Sequence, residues 1–573
     1  MVRRCAVNKL GMPWRRLLLA LVMVLVAGCA GPVPSSPGTA PDPSAPGGRG
    51  ATRRIVMAIP GPPQLQPGAG PTYAAMNPLV NPGLSIQDDQ RVLRPVLAEA
   101  VPSLENGLWT LHSDGRMEAT WTIRSGARWH DGVPLTTDDL LFTLQVGRDL
   151  PSFGNPAYAA IQEVVVVDAR TVTVWWKEPF IEADRLFGYT LASPLPRHRL
   201  EEASRGDPAS FLQLSFWAED YVGAGPFRVR HWAPGVEIVL EAVPDYVLGR
   251  PQVDEIHVKI IPDASALMAN LLAGAVDMAP VIESIDSGVQ IRERWRDGAV
   301  TFSSMGDGWV ALFPQFVNPQ PAVVADVRFR RALLHAMDRQ AMVDTLAAGL
   351  SPVPHSFMSP DQPQYQEIEA RLPRYDYDPR RAAEMIEELG YRKGSDGVYR
   401  DSADAPLHIE LRSTPLDEHV QAAEVIRDQW RRLGLAADTP VLRPDQVESL
   451  EARATFPAFQ VRTNGRDEAG IVGLHSSRAR LPDNNFRVPA PENLSRYMNP
   501  ELDALVERYR RTVPMPERTQ VLGEILSHVA NLVVVAGIYY RPAVIAVASR
   551  VENVKPAGSG RTGWNSHEWD VKG

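Results

Sequence analysis

The chain has 573 residues, of which 44% are apolar and 22% charged, a balance typical of a globular protein that excludes a disordered or fibrous one. This length is large for a single core, so we expect two or three lobes. Five basic residues and no acid precede residue 29, which leaves 54 basic against 68 acidic residues and a net charge of −14. Such a body disfavours nucleic acid and anionic lipid as partners.

Residues 1–28 have the order of a signal peptide. Basic residues are followed by an apolar run, Leu17–Ala27, and then by small residues. The run is too short to span a hydrocarbon core of about 30 Å. Val26–Cys29 resembles a bacterial lipobox, which implies that the Cys29 thiol is acylated and begins the mature protein. A plain signal peptide or a short membrane anchor is the alternative.

The chain has two cysteines, Cys5 and Cys29, and the first is expected to leave with the signal peptide. The body then has no thiol for a disulfide, a nucleophile or a thiolate metal site. Residues 29–52 are mostly Pro, Gly, Ser and Ala, a composition that buries too little apolar surface to offset its ordering entropy. We therefore expect a flexible tether, with folded protein from residue 53.

The elements of the body alternate between strands and helices without a fixed repeat. Alternating β-branched and aromatic residues predict strands at Ala119–Ile123, Val164–Val167, Thr171–Trp176, Val236–Leu240 and Ile256–Ile260. Further along the chain, polar capping residues predict helix starts at Asp326, at Asp378–Pro379 and at Asn499–Pro500, with Gly390 ending the second helix. The apolar segment Leu532–Ile538 predicts a buried strand.

Motifs of enzymes are missing from the sequence. It has no Gly-x-Ser-x-Gly elbow, no phosphate loop ending in Gly-Lys-Ser/Thr and no His-Glu-x-x-His. The 12 histidines are scattered, with no pair at metal-ligand helical spacing. His130–Gly132 is better explained as a turn, in which Gly tolerates a positive φ, than as a base with its orienting acid. We expect neither catalysis nor a metal site; turnover of a peptide or sugar by the purified protein would contradict this.

Several segments, in order, resemble the large extracytoplasmic binding proteins of oligopeptide and dipeptide ABC importers, the solute-binding protein family 5. Each segment alone is a turn, a cap or a core stripe, but their order and spacing cover roughly residues 53–573. The matching segments are Trp121–Leu140, Gly223–Phe227, Pro244–Tyr246, Gly249–Pro251, Val253–Ile256, Leu272–Asp277, Asp326–Ala332, Ala336–Arg339, Tyr377–Tyr391, Tyr497–Leu505 and Pro516–Arg518.

The resemblance implies an α/β fold, a two-lobed clamp similar to type II periplasmic binding proteins with an additional domain. Domain I would combine residues 53–86, 220–312 and 540–573, domain II would be 87–219, and domain III 313–539. Two crossing strands would form a hinge, and a ligand would be trapped between lobes I and III as they close. The resemblance implies no cofactor.

Family members often pair the peptide amino terminus with a carboxylate on a lobe III loop. The corresponding stretch here is Phe459–Glu468, where Asn464, Arg466 and Asp467 are candidates, followed by His475. Asp467 fits that carboxylate, but Arg466 beside it suits a carboxylate or another anionic group instead. A solvated charged loop is the third interpretation, and all three stay open.

The second candidate zone is the crossing strand Trp309–Asn318, where the family places aromatic and amide residues toward the ligand. About half of any strand's side chains face away from a given side. The candidates on this strand are Trp309, Phe313, Gln315 and Asn318, and weaker candidates in the first loop of lobe I are Tyr73 and Asn77.

We therefore predict a lipoprotein on the outer face of the cell membrane, or in a periplasm, that captures peptides and delivers them to an ABC permease and its ATPase. We expect a monomer, because a closing clamp needs both lobes free. Binding of a metal chelate, haem or an oligosaccharide is the alternative within the family. A receptor for a membrane signalling partner is the alternative outside transport.

Overall fold

The computed structural model describes residues 52–63, 65–67, 71–150, 153, 156–360, 362–465, 468–556 and 562–572. The predicted signal peptide, the acylated Cys29 and the tether up to residue 51 lie outside the described residues. So do Arg466 and Asp467 of the candidate loop. Across the described residues, no helix combines the length and apolar character needed to cross a membrane.

The described residues form strands and helices in irregular alternation. The strands are β1 (Arg54–Ile59), β2 (Ser85–Gln87), β3 (Leu93–Pro95), β4 (Trp109–Leu111), β5 (Met117–Thr122), β6 (Ile161–Val166), β7 (Thr171–Trp176), β8 (Phe227–Ala233), β9 (Glu237–Ala242), β10 (Glu255–Ile260), β11 (Met278–Ile282), β12 (Gly298–Pro314), β13 (Arg392–Lys393), β14 (Tyr399–Arg400), β15 (His408–Ser413), β16 (Ala436–Asp438), β17 (Phe459–Gly465), β18 (Ala536–Ala548), β19 (Val551–Glu552) and β20 (Asp570–Val571). The helices are α1 (Pro71–Val80), α2 (Thr137–Asp149), α3 (Pro156–Ala160), α4 (Arg197–Ser204), α5 (Pro208–Leu212), α6 (Ala264–Leu272), α7 (Ile285–Arg294), α8 (Val327–His335), α9 (Arg339–Leu346), α10 (Tyr365–Ile368), α11 (Pro379–Glu388), α12 (Asp417–Leu433), α13 (Pro444–Glu448), α14 (Leu450–Ala454), α15 (Glu468–Val472), α16 (Pro500–Arg511) and α17 (Met515–Leu532).

The largest sheet has ten strands in the order β16-β15-β17-β12-β18-β11-β1-β10-β9-β8. Its middle is the antiparallel pair of β12 and β18. Their pairing is regular over Gly298–Ser303 and over the stretch from Gly308 onward, but the register shifts between Ser303 and Gly308. Every strand on one side of the sheet is attached through β18, and every strand on the other side through β12.

A separate antiparallel sheet, β4-β5-β7-β6, lies within residues 109–176. Strands β5 and β7 alternate buried and partly buried residues, as expected for a sheet with one face on a core. Trp121 and Trp176 are fully buried on the inner face. The remaining two-stranded sheets pair β2 with β3, β13 with β14, and β19 with β20.

The predicted strand and helix starts are confirmed in type and within a few residues in position. Thr171–Trp176 is β7 from end to end. The side chain of Asp326 accepts a hydrogen bond from the Arg328 N–H, and Asp378 and Asn499 cap α11 and α16 in the same way. Gly390 follows α11 with a φ of +95°, a conformation that favours glycine.

The strand predicted at Leu532–Ile538 is wrong over its first half. Helix α17 extends to Leu532, and Val533 ends it in the left-handed region with a φ of +48°. Strand β18 begins only at Ala536 and continues through Pro542 to Ala548. An apolar run of seven residues does not distinguish the end of a buried helix from a buried strand, because neither shows a polar face.

Two hydrophobic cores meet at β12. Trp309 and Phe313 belong to the larger core, whereas Val310 and Leu312 belong to the smaller one, which also contains Trp430. The period of two along a strand sends successive side chains to opposite faces and so to different cores. From Gly308 to Pro314, strand β12 is therefore buried on both sides.

Asp277 joins three distant parts of the chain. Its carboxylate accepts the Val56 N–H at 2.8 Å and pairs with the Arg550 guanidinium, with Nε at 2.6 Å from Oδ1. The side chain of Asp277 is 6% exposed. It therefore holds β1 and the C-terminal segment to the start of β11.

Replacing Asp277 by Asn keeps the shape but removes the charge. We expect the free energy of unfolding to fall by about 2 kcal/mol, because a charge-assisted pair is lost at a buried site. Urea denaturation measures the change. The matched control is Asp445→Asn, whose carboxylate is 69% exposed and pairs with Arg443 in water. Equal effects of the two substitutions would contradict the role given to Asp277.

Candidate functional site

A cavity of about 590 Å³ lies between two parts of the chain that are far apart in sequence. Its volume falls in the range of sites for small molecules and short peptides. One wall consists of Gln87, Gln90, Arg91, Val92, Leu93, Val101, Pro102, Ser103, Ile181, Asp184 and Arg185. The other consists of Phe357, Met358, Gln362, Pro363, Gln364, Ile471, Tyr509, Met515, Arg518, Thr519 and Leu522.

The first wall is built on the loop between β2 and β3. The buried Asp88 carboxylate accepts the backbone N–H groups of Gln90 at 2.8 Å and Val92 at 2.9 Å, and it pairs with Arg94 Nε at 2.6 Å. Arg91 has a φ of +63°, which a non-glycine residue adopts only where its surroundings impose it. Asp88 thus holds the loop in the shape that places Gln90 and Arg91 at the cavity.

The second wall is held by β18 and α17. The Tyr540 hydroxyl of β18 lies 2.8 Å from the Ser356 carbonyl oxygen and 2.7 Å from that of Met358, which fixes the segment carrying Phe357. Helix α17 contributes one face, with residues at spacings i, i+3, i+4 and i+7. These residues are Met515, Arg518, Thr519 and Leu522.

The lining combines three kinds of chemistry. Four glutamines, at positions 87, 90, 362 and 364, supply amide donors and acceptors. Three arginines face one aspartate, so the ionised side chains in the lining carry a net positive charge. Arg185 is partly neutralised by Glu182 at 3.7 Å, whereas the Arg518 guanidinium contacts the Met515 sulfur at 3.4 Å. The remaining lining is mostly apolar.

The structure brings three of the predicted site residues together. Trp309, Phe313 and Asn464 line a second, much smaller cavity of about 20 Å³. Trp309 and Asn464 are register partners of β12 and β17, so their side chains share a face of the sheet. Phe357 lines both this cavity and the large one, and so separates them. None of these three predicted residues lines the large cavity.

The strand predicted at Trp309–Asn318 ends at Pro314, so Gln315 and Asn318 follow β12 instead of lying on it. The Gln315 amide donates to the carbonyl oxygens of Ala454 and Phe456 and accepts from Arg496. Asn318 is exposed in a left-handed turn with a φ of +51°. His475 contacts Ser477 at 2.8 Å and does not line the large cavity. Their ligand-binding roles stay predictions.

Tyr73 and Asn77 were predicted in a loop, but they lie on helix α1 and are buried. The Asn77 amide donates to the Tyr73 hydroxyl at 2.9 Å, and the Tyr73 ring stacks on Tyr189 with centroids 5.9 Å apart. Neither residue lines the large cavity. Within the described ranges, no group of three or more His, Cys, Asp and Glu residues is placed to hold a metal ion.

The residues of the large cavity were not among the sequence-based candidates. The stripe on α17 was visible in the sequence, but the same spacing is typical of a face packed on a core. The β2–β3 loop carries a run of polar residues, Gln87–Arg91, that is typical of any exposed turn.

His419 supports β17 from behind. Its Nε2 accepts the Thr463 backbone N–H at 2.9 Å, so the proton lies on Nδ1, which contacts the Thr414 hydroxyl. Burial, together with the positive charges of Arg462 and Arg541, lowers the pKa of His419 to about 4. The imidazole is therefore neutral at pH 7 and fixes the strand that carries Asn464.

Comparison with known proteins identifies the family. Residues 93–475 match the profile of the bacterial extracellular solute-binding proteins, family 5 Middle, which is more than half of the chain. The chain belongs to this family. Its members are binding proteins, so the predictions of family and of a protein that is not an enzyme are confirmed.

Relatives and solved structures agree with the assignment to family 5. A Brucella ovis protein named for ABC transporter peptide binding is 28% identical over 393 residues, 65% of this chain and 69% of that protein. The oligopeptide-binding protein AppA of Bacillus subtilis is 23% identical over 489 residues, 82% of each chain. The structure of AppA with a nonapeptide is 21% identical and has a TM-score of 0.70, covering 91% of this chain and 100% of that one. The predicted α/β fold, a two-lobed clamp with an additional domain, is confirmed.

The His419 environment predicts a pH dependence of stability. The pKa of His419 is lower in the folded protein than its ordinary value of 6.5, so protonation favours the unfolded chain. Its contribution is complete above pH 6.5 and is lost as the pH falls toward 4. Between pH 8 and pH 5 we expect wild type to lose about 2 kcal/mol more unfolding free energy than His419→Gln. Urea denaturation at both pH values measures this, and equal losses would contradict it.

Proposed function

We propose that this family 5 protein is the substrate-binding component of an ABC importer and that it captures peptides in the 590 Å³ cavity. The observation that carries the proposal is the position of the cavity, between walls contributed by residues 87–185 and residues 357–522. In the domain division proposed below, these walls belong to domains II and III, whereas the resemblance implied a ligand between lobes I and III. Relatives named for peptide and oligopeptide binding support it.

The lining suits a peptide. Every peptide offers backbone amides, which the four glutamines can bind through donors and acceptors regardless of side chain. Arg518 supplies a guanidinium, which binds a carboxylate through charge-assisted hydrogen bonds. The apolar lining, including Met358 and Leu522, can accommodate peptide side chains of different shapes.

We also propose the three-domain division given above, with the β12–β18 pair as the hinge. This pair joins the two sides of the large sheet, and its register shift between Ser303 and Gly308 interrupts the regular ladder. Arg511 pairs with Glu178 at 2.8 Å, which links proposed domains III and II. Both side chains are about half exposed, so this pair is weak enough to break when the clamp opens.

Native mass spectrometry of the purified protein, with its signal peptide removed and Cys29 replaced by Ser, tests the peptide assignment. A series of bound masses that match short peptides, released on denaturation, is the expected result. A single recurring mass that is not a peptide would contradict peptide capture while leaving the solute-binding role.

Arg518→Met then tests the cavity. For a peptide identified by mass, we expect the Kd to rise about tenfold, because one charge-assisted bond is lost. Arg443→Met is the matched control, since its guanidinium is 67% exposed and belongs to a surface pair with Asp445. Isothermal titration measures both. An unchanged Kd for Arg518→Met would contradict the assignment of the cavity as the peptide site.

A second candidate ligand is an anionic metal chelate. Three arginines against one aspartate in the lining favour a ligand with several carboxylates. Two structures of the same fold are described as a periplasmic EDTA-binding protein and as NikZ from Campylobacter jejuni with Ni(L-His). A metal isotope pattern in the native mass spectrum would favour this candidate over a peptide.

We further propose that Cys29 carries a lipid anchor, that the protein delivers its ligand to a permease and ATPase, and that it is a monomer. Two or more acyl chains hold a protein stably on a membrane, whereas one does not. Cys29→Ser is expected to move the protein from the membrane fraction to the soluble fraction of fractionated cells. Membrane retention of that variant would contradict the anchor, and a stable dimer in small-angle scattering would contradict the monomer.

A further inference from the structure

Arg453 and Arg480 pair with a single carboxylate, that of Glu492, on the face of the large sheet that carries Trp309. Arg462 is close enough to interact electrostatically with all three. Arg453 lies in the last turn of α14, Arg462 lies on β17, and Arg480 lies in the segment between α15 and α16. The Nη2 atoms of Arg453 and Arg480 lie 3.2 and 3.3 Å from the same oxygen, Oε1 of Glu492. Among the described residues, this one carboxylate pairs within the cluster of three guanidinium groups, so two positive charges there have no ion-pair partner of their own.

The cluster is partly withdrawn from water. The side chains of Arg480, Glu492 and Arg453 are 13%, 17% and 26% exposed. Buried charge is normally paired, because leaving water is costly for an ion. The carboxylate of Glu410 is not a counterion for the cluster, because it pairs with Arg412, with 2.6 Å between Nη2 and Oε1.

Several buried polar atoms around the cluster have no hydrogen-bond partner among the described residues. These atoms are Nε of Arg462, Nε and Nη1 of Arg480, and both amide atoms of Gln460. Gln460 is fully buried and lies two residues from Arg462, on the same face of β17. Buried donors without an acceptor are unfavourable, so this arrangement calls for an additional acceptor.

The pKa values of Arg462 and Arg480 are shifted in the direction expected for positive charges held close together and partly buried. Burial lowers the pKa of Arg462; the carboxylate of Glu492 opposes that shift, and the neighbouring Arg453 and Arg480 add to it. Burial and Arg453 likewise lower the pKa of Arg480. Arginine nevertheless stays protonated in proteins. The cluster therefore remains cationic and cannot relieve its repulsion by losing a proton.

The surrounding chain holds the cluster in place. Asn493, next to Glu492, donates through its amide to the carbonyl oxygens of Tyr497 at 2.8 Å and Leu474 at 3.2 Å. Its backbone N–H donates to the Arg478 carbonyl oxygen, which ties together the two ends of the loop that carries Arg480. The arginines are therefore presented by fixed backbone rather than by a free loop.

We propose that Arg453, Arg462 and Arg480 form a binding site for a small free oxyanion of the phosphate or sulfate class, beside Glu492. Planar guanidinium groups match the oxygens of such anions, and the free Nε and Nη1 atoms supply the donors. None of the three arginines lines the 590 Å³ cavity. The site is therefore distinct from the proposed peptide site and does not depend on it.

Isothermal titration of sodium phosphate into the ligand-free mature protein, in a low-salt buffer, tests the site. We expect saturable binding of one phosphate. Arg480→Met should weaken it at least tenfold, and Glu492→Gln should strengthen it severalfold, because the competing carboxylate is gone. Arg443→Met is the control and should leave the affinity unchanged. The two substitutions change the phosphate affinity in opposite directions, which distinguishes an anion site from general salt effects, because salt would change the affinity of all variants alike.

The melting temperature separates binding from a purely structural role. In low salt without phosphate, Arg480→Met should melt no lower than wild type, because it removes repulsion among the arginines. Added phosphate should raise the melting temperature of wild type but not that of the variant. Absence of saturable binding, or a variant that melts lower at every phosphate concentration with unchanged phosphate affinity, would overturn the proposal.

The same oxyanion chemistry can come from a carboxylate of the captured ligand. Titrating phosphate in the presence of a peptide identified by mass distinguishes the two sources. An unchanged phosphate Kd supports a free anion, whereas a Kd that rises in proportion to peptide concentration would overturn that assignment. If the protein binds no peptide at all, the phosphate titration still stands, so the two proposals fail separately.

Discussion

The antiparallel pairing of β12 with β18 is the constraint on which the rest of the structure depends. The ten strands of the large sheet form one ladder, and its two sides meet only through this pair within the described residues. Because the Gly308–Pro314 part of β12 is buried on both faces, it also joins the two hydrophobic cores, with Trp309 on one and Val310 on the other.

Carboxylates contribute to this architecture mainly as acceptors for the backbone. Asp88 shapes the β2–β3 loop, and Asp277 joins β1 to the C-terminal segment, each through backbone N–H groups and one arginine. Both side chains are nearly buried, so they add to the negative charge of the chain without adding to its exposed acidic surface. The overall charge therefore says little about the electrostatics of a particular site.

The arginines, in contrast, concentrate positive charge at particular places in the structure. In an acidic protein, they outnumber the acids in the lining of the large cavity and in the cluster around Glu492. Partial burial strengthens their effect, because the field of a charge is screened less away from water. An acidic body with local arginine sites can repel polyanions in general and still bind a small anionic group where the backbone places the donors.

The sequence by itself determined the local structure and the family. Helix starts at Asp378 and Asn499 and the strand Thr171–Trp176 follow from contacts within a few residues, which is why short-range patterns predict them. Only the tertiary structure decided which side chains meet. The cavity joins Gln90 to Arg518, more than 400 residues apart, and the buried amide of Gln315 donates to the carbonyl oxygens of Ala454 and Phe456. Such contacts depend on how the sheet and its loops pack together, and a stripe on a helix has the same spacing whether it faces a core or a cavity.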